Sequence, residues 1–334
     1  MNLRRLLPCI ALGLGLGLGL GLGLAASLAQ AAGFKAVDIP AEGALQPLKG
    51  AVWYPCSQQP SAVRLGPFAM SVSMNCRLAG EKRPLIVISH GRTGSFLGHR
   101  DTAEALADVG FIVVAINHPG DTSQDKSRTA EFSVFVERPA DIKRAVDYML
   151  GSWPDAARID AGRIGFFGFS RGGYTGFVAI GATPYFGKRL RLCEDKSDPL
   201  CEQVRAGRLP QLSHDPRIKA AVIADPLSVF FTEESFRNVR VPVQLWGSER
   251  GGDGVTPASI VGIASLLPMK PDFRVVPGSQ HFSFLPPCPA ELAQSAADLC
   301  SDQPGFDRAA FHADFNAGVL AFFKAQLGQP PEAR

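Results

Sequence analysis

Ser170 stands in Gly168-Phe169-Ser170-Arg171-Gly172, inside the stretch RIGFFGFSRGGYTGFVAIG that runs from Arg163 to Gly181. The residues before it form an apolar, strand-like run, and those after it a glycine-rich, helix-like one. A G-x-S-x-G at such a junction is the pattern of a nucleophile elbow. The serine takes a strained turn, and the flanking glycines leave room where side chains would strike neighbouring backbone. A serine hydroxyl is a poor nucleophile by itself and needs a base to take its proton. Six histidines are available: His90, His99, His118, His214, His281 and His312. In the chain order Ser, acid, His, the base follows the last strand, which selects His281 in VVPGSQHFSFL. His214 lies in a loop-like insertion and His312 in a terminal helical pattern.

The imidazole needs an acid to orient it, and an acyl oxyanion needs two N–H donors. Chain order favours Asp253, in LWGSERGGDGVTP, as the acid. Asp225, at the end of AAVIADP, is the alternative, and Glu249 is a third candidate. One oxyanion donor is expected from the amide of Arg171, directly after the serine. The other is expected from Arg92 in SHGRTGS, where Gly91 allows close backbone approach.

These residues need a frame. Apolar runs rich in β-formers occur at 51–55, 84–90, 111–117, 163–168, 218–225, 241–247 and 272–278. Most are continuous rather than alternating, as strands covered on both faces by helices are. Helical patterns fit 96–109, 139–150, 171–181, 257–267 and 307–327. Pro139 suits the first turn of its helix, and Thr256 an N-cap before Pro257. Repeated βα units of this kind predict a doubly wound α/β sheet. Two segments break the rhythm. Residues 56–80 read as a hairpin or loop with a cysteine at each end. Residues 183–216 read as a lid-like insertion over the sheet's C-terminal edge.

The 334 residues, 46% hydrophobic with net charge +3, describe a globular protein with no basic concentration for nucleic acid. The first thirty or so residues read as an export signal. Arg4 and Arg5 precede a Leu-Gly run over 12–24, and Ala29-Gln30-Ala31 is a small-x-small site. That reading puts the signal at 1–32 with cleavage near Ala31–Ala32, and one domain over 33–334. It makes the mature chain periplasmic or secreted, without a stable membrane anchor. Export permits disulfides, and sequence locality pairs Cys56 with Cys76, Cys193 with Cys201 and Cys288 with Cys300. No metal cluster, Walker A motif or dinucleotide fingerprint is evident, so no cofactor and no metal are expected.

With PLIVISHGRTGS, RIGFFGFSRGG, VPVQLWGSERGGDGVTP, QHFSFLPPC and GFDRAAFHADF in view, the chain resembles the α/β-hydrolases over roughly residues 50–327. More narrowly, it resembles the bacterial dienelactone-hydrolase-like proteins and, more distantly, the platelet-activating-factor acetylhydrolases. The resemblance implies an exported serine hydrolase acting on a small or lipid-like carboxylic ester. Dienelactone hydrolases use a cysteine where Ser170 stands, so that substrate is not implied. The acetylhydrolases carry their acid after the earlier strand, where Asp225 lies. A peptidase or acyltransferase on the same triad, or a non-catalytic binding protein, are the competing readings. Phe230, Phe231, Phe282 and Phe284 are candidates for an apolar acyl pocket, and the Arg92 and Arg171 side chains for attraction of an anionic substrate.

Overall fold

In the computed structural model, the described residues are 31–187, 193, 199–208 and 210–330. The expected export signal falls outside them, except for its last two residues. Ala31 and Ala32 are buried and open a strand, pairing with Cys56 and Pro55.

The strands are β1 (Ala31–Ile39), β2 (Leu48–Cys56), β3 (Ser61–Leu65), β4 (Phe68–Met74), β5 (Arg83–Ser89), β6 (Ile112–Ile116), β7 (Ile159–Phe169), β8 (Ile218–Ala224), β9 (Val243–Ser248) and β10 (Asp272–Val276). The helices are α1 (Arg100–Asp108), α2 (Ser133–Gly151), α3 (Arg171–Ala179), α4 (Pro199–Arg205), α5 (Pro257–Leu266), α6 (Ala290–Ser295), α7 (Ala297–Cys300) and α8 (Arg308–Leu327). One sheet runs in the order β10-β9-β8-β7-β5-β6-β2-β1-β4-β3. From β10 to β6 every neighbour is parallel, and β2 joins β6 antiparallel. This is the α/β-hydrolase fold, a mostly parallel central sheet flanked by helices.

The continuous apolar strands have the physical cause read from the sequence, because both faces are covered. Leu85 and Val87 of β5 pack with Ile142, Ala145, Val146 and Met149 of α2. Ile86 and Ile88 point the other way and pack with Ala103 and Leu106 of α1 and Phe315 and Val319 of α8. Alternation therefore assigns each strand residue to a face, although both faces are apolar.

Three details differ from the sequence reading. First, β1 was not expected, although it buries Phe34, Val37 and Ile39. Second, α2 begins at Ser133, so Pro139 lies inside the helix rather than in its first turn. Proline has no N–H for the carbonyl four residues back, which is Phe135. The Tyr174 hydroxyl donates to that carbonyl at 3.2 Å, so the vacancy is filled from α3. Third, the described part of 183–216 does not sit over the serine. Phe186, Cys193, Cys201 and Val204 pack with Phe132, Phe135, Tyr174 and Phe230, against α2 and α3.

The three disulfides Cys56–Cys76, Cys193–Cys201 and Cys288–Cys300 are present. The first ties the β3–β4 hairpin, expected at 56–80, to the end of β2. The third staples the α6–α7 segment. Among the described residues no helix is long and apolar enough to cross a membrane.

The Tyr174–Phe135 bond generates a direct prediction. Tyr174→Phe keeps the ring but leaves a buried carbonyl unpaired, at a cost of about 1–3 kcal/mol. Urea unfolding should show a lower midpoint at an unchanged slope. A midpoint equal to wild type would contradict this account of the helix.

Candidate active site

Strand β7 ends at Phe169 and α3 begins at Arg171, so Ser170 is the single residue that turns the chain. It does so at φ 57° and ψ −118°, outside the regions an L-residue ordinarily occupies. Close packing enforces the turn. A Cβ on Gly172 would lie 2.0 Å from the Ser89 carbonyl oxygen, and one on Gly168 2.3 Å from the Gly172 oxygen. The Ser170 N–H donates to the Ala224 carbonyl at 3.0 Å, and the Ser170 carbonyl accepts from Leu227 N–H at 3.0 Å. The end of β8 thus clamps the serine from the side.

His281 follows β10, as chain order requires. Its Nε2 lies 3.0 Å from Ser170 Oγ. Its backbone N–H is held by the Gly251 carbonyl at 2.9 Å, and its ring stacks on Phe169 at 4.7 Å between centroids. The acid against it is Asp225, not Asp253. Asp225 Oδ2 accepts from His281 Nδ1–H at 2.6 Å. It also accepts from the Ser248 hydroxyl at 2.9 Å, while Oδ1 accepts from the Ser248 N–H at 2.8 Å. With Nδ1 donating, a neutral imidazole presents Nε2 as the acceptor for the serine hydroxyl.

The physical reason Asp253 fails is the shape of its loop. Gly251, Gly252, Asp253 and Gly254 all have positive φ, and Gly252 and Val255 exchange backbone hydrogen bonds. That tight turn aims Asp253 at Arg92, whose Nη2 donates to its Oδ1 at 2.7 Å. Glu249 is also accounted for, because its Oε2 accepts the Gly278 N–H at 2.7 Å after β10.

The expected oxyanion donors lie beside the serine. Among the described residues neither the Arg92 nor the Arg171 backbone N–H is taken by a protein acceptor. A Cβ on Gly91 would lie 3.3 Å from Ser170 Cβ, which places the 91–92 peptide against the serine. That peptide is fixed from behind. His90 Nδ1–H donates to the Gly91 carbonyl at 2.7 Å, and Gly94 N–H donates to the same oxygen at 3.2 Å. A trans peptide points its N–H opposite to its C=O, so anchoring the Gly91 oxygen aims the Arg92 N–H away from that anchor. His90 Nε2 meanwhile accepts the His118 N–H at 3.2 Å. Burial, seconded by the Arg138 charge, holds the His90 pKa at about 3, so the ring is neutral with the proton on Nδ1.

Beneath this loop lies a buried charge cluster that the sequence did not reveal. Asp121 Oδ2 pairs with Arg138 at 2.6 Å and with Arg171 at 2.9 Å. Its Oδ1 accepts the Thr93 N–H at 3.1 Å and the Thr129 hydroxyl. Arg138 also donates to the His90 carbonyl. Burial pushes the Asp121 carboxyl up, but Arg138 and Arg171 bring it net below its ordinary value. One carboxylate therefore ties the residue after Arg92 to the residue after Ser170. The signal was the NHPGD stretch at 117–121, which reads as an ordinary turn after a strand. Ser248 was missed likewise. The Arg171 side chain is consumed here and stacks over Phe135 at 4.8 Å, so it is not free for a substrate. The Arg92 side chain is spent on Asp253.

A cleft of about 130 Å³ opens at Ser170, lined by Gly91, Arg92, His99, Asp253 and Phe282 among others. Phe282 is the one of the four candidate phenylalanines on this wall. Phe230, Phe231 and Phe284 belong to the cores. Among the described residues no group of three or more His, Cys, Asp or Glu side chains could hold a metal ion.

No protein-family model matches the chain. A cutinase of Thermobifida alba, est2, is 27% identical over 202 residues, covering 60% of this chain and 49% of that protein. The matched chain thus spans about half the length of that curated relative. A ferulic acid esterase from Streptomyces cinnamoneus superposes with a TM-score of 0.63 at 20% identity, over 92% of this chain and 93% of that one. That likeness establishes the fold.

The Asp121 cluster generates a prediction. Asp121→Asn leaves two buried guanidinium groups short of a countercharge and should cost about 3–5 kcal/mol of stability. Denaturant unfolding checks it. A loss under about 1 kcal/mol would show that the cluster does not hold the loop.

Proposed function

We propose that this protein is an exported serine hydrolase that cleaves carboxylic esters through an acyl-enzyme. The observation that carries the reading is the continuous chain Asp225–His281–Ser170, at 2.6 Å and 3.0 Å, ending on a strained serine beside two free N–H groups. Ser170 Oγ attacks the acyl carbon while His281 Nε2 takes its proton. The Arg92 and Arg171 amides receive the oxyanion. Collapse expels the alkoxide, which takes the proton back from His281. Water then attacks the acyl-enzyme, His281 again serves as base, and the carboxylic acid leaves with Ser170 restored. Asp225 orients the ring and stabilises the imidazolium.

The names of the two similar proteins, a cutinase and a ferulic acid esterase, support ester hydrolysis as the chemistry. The acid after β8 supports the more distant of the two resemblances, to the platelet-activating-factor acetylhydrolases, over the dienelactone-hydrolase-like one. Three disulfides and the Arg-led Leu-Gly leader support export, to the periplasm or beyond. The substrate is an ester small enough to enter the cleft, and no cofactor takes part in the scheme.

Hydrolysis of 4-nitrophenyl acetate and butyrate by the mature chain tests this reading. Ser170→Ala and Asp225→Asn should each lower kcat about 10³-fold or more. Asp253→Asn should stay within about tenfold of wild type, since its carboxylate touches Arg92 and not the imidazole. Folded wild-type protein inactive on both esters would sink the proposal. Transfer of the acyl group to an added amine or alcohol in preference to water would convert it to an acyltransferase.

A further inference from the structure

The cleft at Ser170 shares a wall with a larger cavity of about 440 Å³. Thr93, Gly94, Gly98, Leu285 and Leu299 face both. The turn of the β3–β4 hairpin closes one side with Leu65 and Phe68. The stapled segment closes the other with Cys288 and Leu292. Its size is within the range of small-molecule sites, and its walls are mainly apolar.

One cation breaks that apolar surface. The Arg100 guanidinium lies 4.5 Å from the centre of the Phe68 ring and makes one long hydrogen bond, 3.4 Å, to the Pro287 carbonyl. Among the described residues no carboxylate pairs with it within 4.0 Å. The two nearby acids, Asp101 and Glu104, act on Arg100 through space and not as paired carboxylates. Asp101 Oδ2 is taken by His312 and Asn316, and Glu104 by the Ser71 N–H. Burial lifts the Glu104 pKa to about 7, so it offers only partial countercharge near neutrality. A half-buried guanidinium without an ion pair keeps charge-assisted hydrogen bonds to offer, and an arriving anion can take them.

We propose that this cavity receives one arm of the ester and that Arg100 selects substrates whose apolar arm ends in a carboxylate. The substrate class is then a half-ester of a dicarboxylic acid, or an ester of an apolar hydroxy acid. This proposal rests on the ester-hydrolase reading and adds the polarity of the far end.

Two matched pairs of esters test it. In one the acid sits on the acyl arm: mono-4-nitrophenyl adipate against 4-nitrophenyl hexanoate. In the other it sits on the alcohol arm: 5-carboxypentyl butyrate against hexyl butyrate, followed by pH-stat. The readout is the acid-to-neutral ratio of kcat/KM within each pair. For at least one pair the ratio should fall about tenfold in Arg100→Gln, the lower end of what a charge-assisted hydrogen bond supplies. Arg100→Lys should recover part of it, and salt should reduce the wild-type ratio. Ratios that are the same in wild type and Arg100→Gln for both pairs would overturn the proposal, and would assign Arg100 to clasping Phe68. Binding of adipate against hexanoate by calorimetry separates the two levels of the argument. If no ester is cleaved, the hydrolase reading fails, while an Arg100-dependent preference for adipate still upholds the anion site. No such preference refutes that site as well.

Discussion

Everything at this site depends on one forced turn. Ser170 holds a backbone conformation that costs of order 1–3 kcal/mol, and such strain persists only where the surroundings leave no alternative. Here the surroundings are β5 and β8. Gly172 is pressed against the Ser89 carbonyl, and Ala224 and Leu227 hold both polar groups of the serine backbone. The consequence is directional. The hydroxyl is carried to the C-terminal edge of the sheet, where the loops after β5, β8 and β10 converge. His281, Asp225 and the 91–92 peptide arrive from those three loops, so the parallel sheet itself fixes their spacing.

The second support is electrostatic. Asp121 and Arg138 are both fully enclosed, and pairs of that kind seldom stabilise a fold compared with apolar packing. Their value is positional. Asp121 touches Thr93, Thr129, Arg138 and Arg171, which are residues of the loop after β5, the loop before α2, α2 itself and the turn at Ser170. The cluster ties the loop that carries Arg92, the proposed oxyanion donor, to the elbow that carries Arg171. Donors that need no reorganisation are what stabilise a developing charge best.

The strand framework, the sharp turn at Ser170 and the histidine that meets it were legible because each leaves a local trace: continuous apolar runs, glycines flanking a serine, a histidine after the last strand. The three cysteine pairs followed from proximity in sequence. The carboxylate that pairs with His281 was not legible in this way. Asp225 and Asp253 both follow strands that end near the serine. What separates them is the direction of a side chain, set by four successive positive-φ residues at 251–254 and by Ser248. No local pattern encodes that direction. Pro139 misled because a proline normally opens a helix, and only Tyr174, from another helix, makes its interior position tolerable. The first strand was hidden because its start overlaps the small residues of the expected signal cleavage site. The face on which the described part of 183–216 lies was not legible, because a long polar insertion identifies a covering segment without saying which face it covers. The described part packs on α2 and α3, and the wall beside the serine comes from the loops after β5, β9 and β10, with Leu299 of the stapled segment.

The most direct measurement is the rate of stoichiometric phosphonylation by a fluorophosphonate, read by mass spectrometry of the intact protein and of the peptide carrying Ser170. The account predicts one adduct, located on Ser170, formed quickly in wild type and Asp253→Asn and much more slowly in Asp225→Asn. An adduct on another residue, or equal rates in Asp225→Asn and wild type, would contradict the assignment of Ser170, His281 and Asp225 as one catalytic unit.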